Sequence, residues 1–194
     1  MPAGVRTRIV RSARPSLGRF GRGLPKGGNR LKIAAQLAGL GKAIITNRTL
    51  QGLDANDAPF TPYSDKPYWA PTEKRPPGYP SPSGGEPTPK GRSYSAGYGQ
   101  YKAGIGRPSS PQLSVSNEML GNIAIATQGS AMAILFFPDR EQAAKAHGHE
   151  FGTVVPKRSF FDLSNVATVA KMKLRTVQLM REAAKKSGVP WKSG

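Results

Sequence analysis

Twelve of the chain's 18 prolines fall between residues 52 and 112, with no helical or strand period among them. Each proline fixes φ and removes a backbone donor, so a run this dense resists both helix and central strand. The stretch "APTEKRPPGYPSPSGGEPTPKG" (Ala70 to Gly91) offers too few apolar side chains to bury a core. The expectation is a Pro/Gly-rich extended loop or insertion at about 54–112, partly polyproline-like. Tyr63, Tyr68, Trp69, Tyr79, Tyr94, Tyr98 and Tyr101 punctuate it. Lys and Arg are not directly interleaved with these rings, which favours packing against protein over stacking on bases.

Regular structure must come from the flanks. From Asn29 to Leu50, Ala34, Leu37, Ala38, Gly41, Ile44 and Ile45 recur on one stripe of a 3.6-residue period. Gly39 and Gly41 each weaken such a helix by roughly 1 kcal/mol relative to alanine, so it needs tertiary support. A stripe of small residues suits close packing. Further on, "SNEMLGNI" reads as a helical turn leading into a strand, and "NIAIATQGSAMAILFFPD" as a β-hairpin at about 122–137, turning at Gln128-Gly129-Ser130. The second run, "AMAILFF", is apolar on both faces and reads as a central strand. Pro138 stops it, and Asp139 can cap a short helix, "REQAAKAHGHE". A last helix spans about Asn165 to Lys186, capped by Ser164 or Asp162, with Val166, Val169, Ala170, Val177, Met180 and Ala184 on one face. Together these give an α+β fold, a small antiparallel sheet packed by an N-terminal and a C-terminal helix. The organisation is a basic extended arm at 1–28, one α+β domain at 29–186 and a C-terminal tail at 187–194.

Charge narrows the function classes. The formal net charge is +18, and residues 1–50 carry eleven Lys and Arg with no acid. So basic a chain implies a polyanionic partner or an anionic site of residence. The arm holds Arg6, Arg8, Arg11, Arg14, Arg19 and Arg22 between sparse apolar anchors, which suits ordering against DNA phosphates or an acidic subunit groove better than solubilisation alone. Cysteine is absent, which excludes disulfides and thiolate metal sites. No apolar run approaches membrane-spanning length.

The two histidines, His147 and His149, sit beside Glu150 in "AHGHEFG". A helical zinc site uses His at i and i+4 with a third ligand elsewhere. Residues two apart point about 200° away from each other on a helix, and no third histidine or cysteine completes a shell. There is no Gly-x-Ser-x-Gly elbow, no Gly-Lys-Ser/Thr phosphate loop and no obvious carboxylate pair. The residues therefore read as non-enzymatic, without metal or cofactor, and "AHGHEFG" as a helix end closed by a left-handed Gly148 or Gly152.

The order of four segments adds a further expectation. "GLDANDAPFTPYS" (Gly52 to Ser64), "YKAG" (Tyr101 to Gly104), "LSVSNEML" (Leu113 to Leu120) and "QAAKAHGHEFGTVVPKRSFFDLS" (Gln142 to Ser164) follow one another. This order resembles that of the neck and tail-completion (virion-morphogenesis, head–tail joining) proteins of tailed bacteriophages, over roughly residues 30–186. Asn117 departs from the glycine usual before x-Met-Leu, residues 66–97 look like an insertion, and the basic arm exceeds the minimal pattern. The resemblance implies a structural virion protein forming a homo-oligomeric ring, sixfold or twelvefold, that joins the portal or its adaptor to the tail or completes the tail. DNA would pass through its lumen, and it would reside in the host cytoplasm during assembly. It also implies structural roles for Phe60, Pro62, Tyr63, Met119, Leu120, His149, Glu150, Gly152, Pro156, Arg158, Phe160 and Phe161. Phe60, Pro62 and Tyr63 would pack a loop onto the core. Arg158, Phe160 and Phe161 would fix the segment after the short helix, with Arg158 paired to Glu150. The alternative from composition is a basic nucleic-acid-binding protein, ribosome-associated or DNA-binding.

Overall fold

The helical stripe that begins the regular structure does form α1, Gly28–Leu50. Its inward side carries Ala38, Gly41, Ile45, Arg48 and Thr49, a continuation of the apolar stripe into two polar residues. Gly41 is where the helix approaches its neighbours most closely. A Cβ there would lie 2.9 Å from Leu163 Cδ1 and 3.5 Å from Leu135 Cδ1. The helix ends in a Schellman arrangement: the Leu53 N–H bonds to the Arg48 carbonyl (3.0 Å) and the Gly52 N–H to that of Thr49 (3.0 Å). Gly52 takes φ +78°, and a Cβ would meet the Pro111 carbonyl oxygen at 2.8 Å, so glycine is required twice over.

The computed structural model describes residues 28–71, 82–113, 118–129, 132–153 and 155–188. The arm arginines, Tyr79, Asn117, Ser130 and the end of the tail lie outside them. Among the described residues there are five helices and two small antiparallel sheets, an α+β fold as expected. After α1 come β1 (Tyr68–Pro71), β2 (Glu86–Thr88), β3 (Gly91–Tyr94), α2 (Gly97–Gly104), α3 (Glu118–Gly121), β4 (Ala124–Gln128), β5 (Met132–Phe136), α4 (Arg140–Phe151) and α5 (Val166–Lys186). Contacts gather in two units, one of Met1–Ile44, Ala124–Phe136 and Asp162–Gly194, the other of Ile45–Ile123 and Phe137–Phe161.

In the first unit, β4 and β5 pair antiparallel, Ala124 opposite Phe136 through Gln128 opposite Met132. Residues directly opposite share a face. One face therefore carries Ala124, Ala126, Gln128, Met132, Ile134 and Phe136; the other carries Leu135, which reaches the space beside Gly41. The run expected as a central strand belongs instead to a two-stranded ribbon. Its outer face leaves Met132 53% and Phe136 39% exposed. The cap of α5 also differs from expectation. The Asn165 side chain accepts from the N–H groups of Ala167 (2.8 Å) and Thr168 (3.4 Å), while Asp162 holds Ser164 in a local turn. The buried residues of α5 are Thr168, Leu179, Met180 and Ala184, whereas Val166, expected inside, is 86% exposed.

In the second unit, the described part of 54–112 carries more regular structure than an extended loop. Three strands in the order β1-β3-β2 form an antiparallel sheet, and α2 follows. The prolines do not prevent it because Pro71 and Pro87 sit on the two edge strands, where a missing donor costs no ladder bond. The central strand, Gly-Arg-Ser-Tyr, contains none. A Cβ on its Gly91 would collide with the Ala70 carbonyl, so the β1–β3 approach depends on glycine. The core here is aromatic: Ala70, Tyr94, Tyr101 and Ile105, with Tyr68 and Tyr98 packed against them. Ring pairs stand 4.9–5.6 Å apart, two of them edge-to-face. Such pairs contribute about 0.5–1.5 kcal/mol each beyond area burial. The described tyrosines thus pack on protein, and they supply the core that aliphatic residues do not.

Candidate functional site

Three stretches far apart in the chain meet in the second unit: the loop after α1, the helix α2, and the segment after α4. Two buried arginines fasten the first of these to the third. Arg48, 4% exposed, donates from Nη1 to the Ala55 carbonyl (3.0 Å) and from Nη2 to the Phe160 carbonyl (2.8 Å). Arg158, 3% exposed, donates from Nε and Nη2 to the Thr61 carbonyl (3.2 and 3.1 Å), with a longer contact to that of Pro62 (3.5 Å). Its guanidinium lies 5.0 Å from the centre of the Tyr63 ring, within cation–π range. Main-chain bonds complete the joint: Ala55 N–H to the Ser159 carbonyl (2.7 Å) and Arg158 N–H to the His149 carbonyl (2.7 Å).

The expected pair between Arg158 and Glu150 does not form. Glu150 accepts instead from the N–H groups of Phe160 (2.9 Å) and Phe161 (3.1 Å). These two amides belong to a segment with no strand partner, so the carboxylate supplies the acceptors a sheet would have given. Arg158 satisfies its own donors on carbonyls across the joint. Each charge is engaged by main chain, which side-chain identities alone cannot reveal.

The remaining motif residues fall as follows. Phe60, Phe160 and Phe161 are buried, and Phe161 stacks near Phe137 at 5.1 Å. Met119 and Leu120 are buried in α3. Gly152 ends α4 in the left-handed conformation, φ +72°, and Asp139 caps its start through a 2.8 Å bond from the Gln142 N–H. Gly148 stays inside the helix. Pro62 and Pro156 are exposed. Two residues of the joint escaped the sequence reading, Arg48 and the buried Thr49. The signal was present, since they continue the Ala38–Gly41–Ile45 stripe by one turn.

Lys102 adds a third cation. Its side chain is fully buried in α2, with Nζ 3.3 Å from the Tyr63 hydroxyl. Burial lowers its pKa to about 8, and the charges of Arg107 and Arg158 push the same way. Tyr98, packed between other tyrosines, is pushed up by burial and by its neighbours. His149 is held down to about 4 by burial and by Arg158, so it is neutral at pH 7. Its Nδ1 is buried without a hydrogen-bond partner. His147 is exposed and lies on Phe151, ring centres 4.6 Å apart.

This gives a prediction with a defined sign. His149 binds its proton more weakly folded than unfolded, so its contribution is complete above pH 6.5 and is lost as pH falls toward 4. The free energy of unfolding, read from urea denaturation, should drop over that window at a rate approaching about 1.4 kcal/mol per pH unit. His149→Leu should flatten the profile there. An unchanged slope in the variant would show that the acid sensitivity arises elsewhere.

Among the described residues, no three His, Cys, Asp or Glu side chains come together as metal ligands. Two open clefts border the joint. One of about 430 Å³ runs along Tyr63, Ser64, Gln100 and Ser109, and one of about 250 Å³ along Asp54, Thr61, Lys157 and Arg158. Among the described residues, no helix is long and apolar enough to cross a membrane. What the arrangement does chemically is clamp: buried guanidinium groups and one carboxylate tie irregular backbone into a fixed shape. Comparison with protein-family models, with curated proteins and with solved structures finds no match.

Proposed function

We infer that this chain is a structural subunit of a tailed-bacteriophage virion, one of a ring at the neck that joins head to tail or completes the tail. The observation that supports this most is the joint itself. Segments of three of the four motifs, "APFTPYS", "YKAG" and the stretch from His149 to Phe161, close on one another around Tyr63 and Arg158. Motif residues spent on holding backbone belong to a protein whose product is a shape. The outer face of the β4–β5 ribbon, with Met132, Ile134 and Phe136, gives such a subunit apolar surface for neighbours in the ring or for portal, adaptor and tail proteins. The positive charge suits DNA in the lumen.

The test is a stop codon at Gln51 in the parent phage or prophage, with the lysate viewed by negative-stain electron microscopy. Separate heads and tails, or heads that have lost their DNA, are expected. Normal infectious particles would reject the neck assignment and favour a nucleic-acid-binding protein outside the virion.

A further inference from the structure

The 21-residue helix α5 buries one side through Thr168, Leu179, Met180 and Ala184. On the opposite side, Lys171, Leu174, Gln178, Arg181 and Lys185 follow at spacings of three, four, three and four, a straight row along the helix. All five are exposed. The one acid in the helix, Glu182, pairs with Arg175 at 3.4 Å and so does not neutralise the row.

The folded chain gains little from these charges. Lys185 lies in the last turn, where a cation complements the helix dipole. Lys171 lies past the first turn, where no helix-end interaction favours it. Arg181 and Lys185 stand four residues apart and repel. Cations kept where folding does not favour them point outward, to a partner. From Lys171 to Lys185 the row spans about 21 Å at 1.5 Å per residue. A duplex presents one phosphate charge per roughly 1.7 Å of axis, dense enough for every cation of the row to find one. A bilayer surface fits less well, because a helix lying in the interface needs a free apolar face. Here the apolar side is covered from Thr168 onward, Val166 at its start being exposed, and Leu174 alone projects from the row.

We propose that the outer row of α5 is a phosphate-binding surface for duplex nucleic acid, reading backbone and not sequence. Two of its three cations, Lys171 and Lys185, are point charges without the planar fork that favours bidentate base recognition. The proposal rests on α5 alone and stands whether or not the chain is a neck protein.

The experiment uses the full chain and a fluorescent 20-base-pair duplex of random sequence, with anisotropy read from 50 to 300 mM salt. The variant K171Q/R181Q/K185Q is compared with K32Q/K66Q/K90Q, a charge-matched control at three other exposed lysines. The row variant should bind at least about tenfold more weakly at 100 mM salt, and its log–log salt slope should fall by about 2.7, near 0.9 per lost phosphate contact. The control should change both far less. Each single substitution, K171Q included, should lower the slope by about 0.9, which keeps the test valid if the triple variant folds poorly. Equal losses in row and control variants would overturn the proposal, as would no duplex binding by the parent chain at 50 mM salt. So would a row variant that loses binding to phosphatidylserine vesicles or poly-glutamate while its duplex binding is unchanged.

Discussion

Arg158→Ala is expected to lower the free energy of unfolding by about 2–3 kcal/mol. The substitution removes two charge-assisted bonds to the Thr61 carbonyl and the guanidinium from beside Tyr63. Bonds to charged groups contribute about 1.5–3 kcal/mol, and a partly desolvated cation–π contact about 1–2. Part of that is offset because a buried cation no longer has to be desolvated. Arg158→Lys keeps the charge but loses the planar fork, and should recover less than half. Urea denaturation of both variants measures this directly. A loss below about 0.5 kcal/mol for the alanine variant would mean that Arg48 and Glu150 hold the segment without it.

The second large effect has the opposite sign. Lys102→Met is expected to stabilise the protein at pH 7, by about 2 kcal/mol. Lys102 is buried, and its pKa falls from 10.5 to about 8 on folding. Carrying its charge at neutral pH therefore costs stability, at about 1.4 kcal/mol for each tenfold weakening of proton binding. Methionine has similar length and no charge; the bond to Tyr63 is what it forfeits. The wild type carries a signature of this cost. As pH rises above about 8, the folded chain releases the proton while the unfolded chain keeps it, so stability increases. Above pH 10 the tyrosines reverse the trend. Burial raises the pKa of Tyr63, Tyr68 and Tyr98, so the unfolded chain ionises first and gains. Wild-type stability should peak between about pH 8 and 10, and the variant should lack the rise from 8. Thermal melts at pH 7, 9 and 10.5 decide it. A variant no more stable than wild type at pH 7 would show that the Lys102 ammonium is compensated where it lies.

The contrast between the two units explains what could be read ahead of the structure. The helices and the hairpin announce themselves through apolar spacing and caps: Ala38–Gly41–Ile45 on α1, Asp139 before α4, the turn at Gly129. Those signals are local, and local physics decides them. The three-stranded sheet has none of them. Its strands are three or four residues long, two carry proline on their edges, and the rings that fill its core lie on different elements. Nothing in the residues around Tyr94 says that Tyr68 and Tyr101 will surround it. Arg158 and Glu150 failed differently. Opposite charges eight apart suggested each other, but each found main-chain partners that no side-chain pattern encodes. For β5, an apolar run read as central is half uncovered, because hydrophobicity records that a face seeks a partner and not whether the same chain provides it.

The fastenings of the joint have an asymmetry with consequences for how the chain can change. Arg48 and Arg158 reach the carbonyl oxygens of Ala55, Phe160, Thr61 and Pro62, and a carbonyl is present whatever side chain its residue bears. The donors are therefore irreplaceable, while the exposed acceptor positions Thr61 and Pro62 are nearly silent to substitution. A loop anchored in this way can exchange its surface chemistry residue by residue, and so meet a new neighbour, without its path through space ever being renegotiated.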